Sequence, residues 1–386
     1  MNSFSDAPAW ERSVQFQVGN AFYRPQSRMV RDLGVLAAAV YRQHTGRLRV
    51  LDAMAGCGVR SLRYWLESGA DWLWVNDSNP EVSAVRLHNL SQLPVNRFKL
   101  TCQDANQVFF ECYGQQDFYD LVDVDSFGTP APYLSTSLWS VKIGGLLYLT
   151  STDGRSVTGS TPDRGLAAFG AYARSHPAAH EQGLRILIGS VQQLAAAKGL
   201  GIVPVFSLFA GESYRVMVRL VPKVLLNTNS YGFLGYCHTC GDYQTIAWNK
   251  LGRTDCPHDR HNPDPHNLNP HSPDRTPLSI SGPLWLGNLH DVEQLTAMKN
   301  LAEQWGWTNC VSLLAMMQTE ASLPPYFYTL REIGRRGKLD LPNRSHLIQT
   351  LQSWGYAASP THINPQAIKT TAPLSTCLEA AHSPAL

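Results

Sequence analysis

The chain has no run of about 18 apolar residues, the length a helix needs to cross a bilayer, so no membrane span is expected. Met1 to Trp10 contain no apolar stretch of the signal-peptide kind, so no signal peptide is expected and the location read from the sequence is cytoplasmic. Charge is also scarce. Only 16% of residues are charged, and 32 basic against 30 acidic side chains leave a net +2. This balance rules out no class of partner; a nucleic-acid-binding surface needs only a local basic face, offset by acidic residues elsewhere. No internal repeat is present. Of eight cysteines only Cys237 and Cys240 form a close pair. Without a secretory signal the thiols are expected to be reduced, and their clustering points to a metal rather than to disulfides.

What is present is enough apolar material, 44% of the chain, for a large core. At 386 residues, two or three domains of roughly 150 residues are expected. The first half alternates strand and helix. Strands are read at Leu48 to Ala53, Trp72 to Asp77, Arg97 to Thr101, Phe118 to Asp123 and Gly145 to Thr150. Asn79-Pro80-Glu81 opens a helix with a cap, a proline at the first helical position and an acid in the first turn. Leu184, Leu187, Ile188, Val191, Leu194 and Ala195 fall on one helical face, closed by Gly199. Ile202 to Phe209 and Tyr214 to Val221 then read as two strands joined by a short turn. This predicts an α/β fold, a doubly wound sheet ending in an antiparallel hairpin, which is the usual plan of class I S-adenosylmethionine-dependent methyltransferases.

Beyond Pro222 the character changes. A Cys/His-bearing segment begins at Cys237, Pro257 to Pro277 reads as a loop rich in Pro, Asp, Asn and His, and Pro283 to Leu386 reads mostly as short helices. The expected division is a catalytic domain over residues 1–222 and an α+β C-terminal domain over residues 223–386.

Two sets of residues carry chemistry. Asp123-Val-Asp-Ser-Phe-Gly-Thr-Pro130 follows a strand, where ligands bind in open α/β sheets. Asp125 offers an acceptor for an amino or hydroxyl proton, and Phe127 offers a face for a planar ring. The second set starts at Asp52 and the glycine-bearing Ala53-Met-Ala-Gly-Cys-Gly58. Glycines there let the backbone approach a ligand as the next helix begins. Asp77 ends the second strand and can accept both ribose hydroxyls of an adenosine, and Asp104-Ala105-Asn106 can hydrogen-bond an adenine edge. Arg60 or Arg63 can pair with a carboxylate such as that of methionine. With no full G-x-G-x-x-G, the pattern favours S-adenosylmethionine over a dinucleotide.

Further motifs occur in a fixed order: Phe22-Tyr-Arg-Pro25, Arg31-Asp32, Asp52-Ala53, Gly58-Val-Arg60, Asn76-Asp77, Asp104 to Asn106, Asp123 to Pro130, Thr150-Ser-Thr-Asp153, and Glu181 with Leu184 to Leu187. They continue with Gly282-Pro-Leu-Trp-Leu-Gly287, Pro325-Tyr-Phe-Tyr328 and Thr361 to Thr370. The chain resembles the tRNA guanine-26 N2-dimethyltransferase family over about Phe16 to Pro373. The resemblance implies S-adenosylmethionine as donor and the N2 amine of guanine 26 in tRNA as acceptor, methylated once or twice, with guanine 27 left open as a second target. It places Arg31, Arg60 or Arg63, Asp77, Asp104 and Ala105 at the cofactor, Asp125 as the catalytic acceptor, and Phe22 and Phe127 around the flipped base. One position departs from the pattern: the family reads Asp-Pro-Phe-Gly, and Ser126 stands here in place of the proline. Two other readings are a related enzyme acting on another exocyclic amine in RNA, and a tRNA-binding protein with weakened catalysis.

Cys237, Cys240 and Cys256 have the look of a structural zinc site, with His258 or His261 as the fourth ligand. Where the family often carries a second cysteine pair, this chain has one cysteine. Arg331, Arg335, Arg336 and Lys338, beside Tyr326, Phe327 and Tyr328, form a basic cluster that either grips tRNA phosphates or is a solvated helix face.

Overall fold

A computed structural model describes residues 7–256 and 277–383. The chain forms two compact units. One comprises Met1–Asp153, Val191–Leu225 and His290–Ala315, the other Gly154–Ser190, Leu226–Leu289 and Met316–Leu386. The units therefore interleave along the chain, and neither is a single continuous stretch.

The first unit holds a seven-stranded sheet built from β1 (Arg49–Asp52), β2 (Trp72–Asn76), β3 (Phe98–Thr101), β4 (Tyr119–Val124), β5 (Val141–Ser151), β6 (Gly201–Ala210) and β7 (Ser213–Val221). Their spatial order is β3-β2-β1-β4-β5-β7-β6. The first five are parallel, and β7 is antiparallel to both β5 and β6. This is the expected doubly wound sheet with a terminal antiparallel hairpin. All six residues of β4 are buried, as a parallel strand covered on both faces requires.

From β1 the chain runs outward to β2 and β3, then returns to β4 on the other side of β1. The carboxyl ends of β1 and β4 thus border the switch point, with Asp52 paired in register with Asp123. Helix α1 (Arg28–Thr45), absent from the sequence reading, ends on Gly46 in the left-handed region and buries Arg31 and Asp32 along with its apolar face. Helix α2 (Val59–Leu66) leaves the glycine loop after β1.

The second unit carries two small antiparallel sheets. Tyr231–Tyr236 lies between Tyr243–Ile246 and Ser279–Trp285, and Ala367–Thr370 lies between Tyr328–Thr329 and Ala358–Pro360. Residues after Pro283 thus contribute strands as well as the expected helices, of which Arg344–Ser353 is one. Inside this unit Glu181 has no exposed side-chain surface and accepts from Lys369 at 2.7 Å and Arg185 at 2.8 Å. Arg185 also donates to the carbonyls of Trp285 and Gly287. Lys369 and Glu181, both within motifs noted above, are therefore framework residues that tie a strand to a helix. Among the described residues no helix is long and apolar enough to cross a membrane.

Candidate active site

The loop after β1 turns on two glycines with positive φ, Gly56 and Gly58. The Gly56 amide donates to Asp77 Oδ2 at 2.7 Å. A Cβ built on Gly56 meets nothing nearer than the Phe22 carbonyl at 4.0 Å, so this backbone faces open space. Asp77 also accepts from the Asn79 amide at 2.9 Å and remains partly exposed at the end of β2. Asp104 is exposed, caps the helix Ala105–Gln115 through the Asn106 amide, and is followed by buried Ala105. Asn76 joins these loops from beneath: its amide nitrogen donates to the carbonyls of Ala53 and Gln103, and its oxygen accepts from Thr101 and from the Gln103 amide. It is fully buried, as a polar group with all its partners can be.

The arginines divide. Arg60 bridges Asp123, at 2.9 Å, and Asp125, at 2.8 Å. Arg63 is wholly buried and faces Glu11, Asp32 and Glu67. Arg31 pairs with Glu11 and donates to the Arg24 carbonyl, and its charge also acts on Asp125 and Cys57. One helical spacing on α2 thus leads to two different surroundings.

Asp125 is the centre of the site. Its second oxygen accepts from Arg215 Nη1 at 2.8 Å, and 27% of its side chain reaches solvent. Burial alone would raise its carboxyl, but the guanidiniums of Arg215 and Arg60 outweigh burial and hold it well below the usual carboxylate range. Its neighbours behave oppositely. Asp123 is fully buried, accepts from Arg60 and from the Tyr64 hydroxyl at 2.7 Å, and is raised chiefly by burial. Asp52 accepts from Ser61 at 2.6 Å and is likewise raised, by burial and then by the charge of Asp123. Of three neighbouring carboxylates, the one that opens to solvent is the one whose pKa is lowered.

Beside it stand two of the most exposed aromatic rings of the chain, Phe22 at 60% and Phe127 at 73%. Their centroids are 4.8 Å apart at 72°, an edge-to-face pair that leaves no slot for a third ring between them. Arg24 lies 5.3 Å from the Phe22 centroid. Residues from four separate segments thus meet at one place: Phe22, Arg60, Asp125 with Phe127, and Arg215. Sequence reasoning missed Arg215. Its signal was one of two arginines, with Arg219, in the mostly apolar strand Tyr214 to Val221, and it is the buried one, where a cation needs a carboxylate partner.

The second unit contains a separate cluster. The sulfurs of Cys237, Cys240 and Cys256 lie within 4.8 Å of one another, with Cys240 and Cys256 at 3.2 Å. The amides of Cys240 and Asp242 donate to the sulfurs of Cys237 and Cys240. His258 and His261 lie outside the described residues. Of the basic cluster, Arg336 is half-buried and donates to the carbonyls of His238 and Thr239, while Arg335 pairs with Glu332 at 2.8 Å. At these two positions the charge has partners within the protein, Glu332 for Arg335 and two backbone carbonyls for Arg336.

A tRNA (guanine(26)-N(2))-dimethyltransferase of Pyrococcus abyssi is 28% identical over 370 residues, covering 91% of this chain and 90% of that protein. A tRNA (guanine(26)-N(2)/guanine(27)-N(2))-dimethyltransferase of Aquifex aeolicus is 28% identical over 328 residues, covering 82% of this chain and 79% of its own. The structure of a Trm1 from Pyrococcus horikoshii in complex with S-adenosyl-L-methionine superposes with a TM-score of 0.81 at 26% identity, covering 97% of this chain and 99% of that one. The family model for N2,N2-dimethylguanosine tRNA methyltransferase matches residues 7–382, and the chain belongs to that family.

Proposed function

We propose that this protein transfers one or two methyl groups from S-adenosylmethionine to the N2 amine of guanine 26 in tRNA, with Asp125 as the acceptor that orients the amine. The observation that carries this reading is the partly open, ionised carboxylate of Asp125 beside two exposed phenylalanines. The guanine N2 amine is a poor nucleophile because its lone pair is delocalised into the ring. An acceptor that binds one N–H turns that lone pair toward the methyl group and stabilises the positive charge that grows on nitrogen. Once methylated, the nitrogen is strongly acidic, so even a weakly basic carboxylate or water receives its proton. The base must leave its stack to reach the site, and Phe22 and Phe127 supply stacking faces for it.

S-adenosylmethionine, when bound, supplies a methyl group on a cationic sulfur. We assign its adenosine to Asp77, Asp104 and Ala105 and its backbone approach to the opening at Gly56. Arg31 and Arg60 supply the positive charge facing its carboxylate, and Arg63 acts from behind through Glu11. Incubation with methyl-labelled S-adenosylmethionine and an unmodified tRNA transcript tests the reading. Label is expected in N2-methylguanosine and N2,N2-dimethylguanosine at position 26, and label on another base would overturn it.

Cys237, Cys240 and Cys256 hold a structural zinc in this reading, with His258 or His261 as the fourth ligand. The convergence of three thiols supports it, since sulfur donors so placed suit zinc. Metal analysis of the purified protein is expected to give about one equivalent of zinc, with loss in Cys240→Ser. Its absence from the wild-type protein would sink the assignment.

A further inference from the structure

Between Asp125 and Phe127 the turn has no proline, yet it must hold a carboxylate between two arginines. Ser126, in the proline's place, is buried, and its hydroxyl donates to the Thr150 carbonyl at 3.1 Å. Thr150 lies on β5 opposite Arg215 on β7. The Thr150 hydroxyl accepts from Arg215 Nη1, the same nitrogen that donates to Asp125 Oδ1 at 2.8 Å. At the far side of the turn Gly128, with φ +70°, donates from its amide to Thr152 Oγ1 at 2.8 Å, and the Thr152 amide donates back to the Gly128 carbonyl at 2.8 Å. The turn is thus tied to the end of β5 on both sides of Phe127. One of those ties closes a circuit from Asp125 through Arg215, Thr150 and Ser126.

Proline restricts a turn covalently, by fixing φ. Serine has no such restriction, and a turn with serine at this place is free to tilt unless something else holds it. A buried hydroxyl also requires a partner, and here the partner is the strand that positions Arg215. We propose that Ser126 is a positioning residue, and that its bond to Thr150 fixes the Asp125–Phe127 turn in the way a proline ring at that position would. The inference rests on Asp125 being the acceptor of the methyl-transfer reaction.

Single-turnover transfer from methyl-labelled S-adenosylmethionine to a tRNA transcript, read at guanine 26, tests it. Ser126→Ala is expected to slow the step about 3- to 10-fold, the worth of one buried hydrogen bond, with unchanged cofactor and tRNA affinity. Ser126→Pro is expected to bring the rate back to within about twofold of wild type, because the ring replaces the lost tie. Ser126→Cys, which keeps the volume and weakens the donor, is expected to fall between and serves if the alanine variant does not fold. A merely structural serine would lower the melting temperature in Ser126→Ala and leave the rate of the folded protein intact. That result, or a Ser126→Pro protein that binds cofactor and is as slow as Ser126→Ala, would overturn the inference. A wild-type protein that places no methyl on guanine 26 would instead remove the proposed function.

Discussion

Asp125→Ala is expected to lower the rate of methyl transfer about 10²- to 10⁴-fold, the range for a positioned acid–base group, while changing S-adenosylmethionine affinity little. The substitution removes the acceptor and leaves Arg60 and Arg215 facing the site without their shared counter-charge. Arg60 retains Asp123 and Arg215 retains the Thr150 hydroxyl, so the scaffold keeps most of its ties. The cofactor loop is held by Asp77 and Asn76, whose hydrogen bonds do not involve Asp125, and Arg60, assigned to the cofactor's carboxylate, loses one of its two carboxylate partners but is still oriented by Asp123. Single-turnover rates and a cofactor titration on the same preparation check both halves. Equal losses of affinity and rate would make Asp125 a cofactor ligand. Asp125→Asn should be nearly as slow, because it keeps the shape and loses the charge that stabilises the developing ammonium.

Glu181→Gln is expected to reduce the free energy of unfolding by about 3–5 kcal/mol, the cost of breaking a buried ion pair by removing one partner. Among the described residues Glu181 is the only carboxylate bonded to Lys369, and Lys369 and Arg185 each have only 2% of the side chain exposed. With glutamine, two cations remain buried beside a neutral amide. Denaturant unfolding at fixed pH measures the effect, and a loss below about 1 kcal/mol would mean that the pair is solvated and contributes as surface pairs do. Activity per folded molecule should be unaffected, since none of the three residues belongs to the methyl-transfer site.

The central sheet was legible because its parallel strands are buried on both faces and read as short apolar runs. Val50 and Leu51, Leu73 to Val75, and Leu121 and Val122 are examples. The acidic ends of those strands were legible because a carboxylate where an apolar run stops has few structural reasons to be there. Helix α1 was not, since its buried Arg31 and Asp32 interrupt the apolar face and are stabilised by Glu11, Arg12 and Arg63 from elsewhere. Arg60 and Arg63 could not be told apart, because helical spacing gives them nearly one face and only the tertiary fold assigns their different carboxylates. The pairing of Arg215 with Thr150 was invisible for the same reason: it is a matter of strand register between β5 and β7. The strand Tyr231–Tyr236 escaped notice because Gly232 and Gly235 weaken its pattern, although each glycine lies against backbone or side chains that a Cβ would meet at 2.9 Å. Interleaving of the two units has no local signature, since it depends on which distant segments pack together.

The most direct test of how Asp125 works is the pH dependence of the single-turnover methyl-transfer rate in the wild-type protein. Arg215 and Arg60 hold this carboxyl below the usual range, so it stays ionised as pH falls through 6 and 5 and loses its charge only in stronger acid. The expected result is a rate that does not fall between about pH 6 and 5 while the protein remains folded. A rate that drops about tenfold per unit below pH 6 would mean that the acceptor is a base tuned near neutrality, and that the two arginines do not lock Asp125 in its charged form.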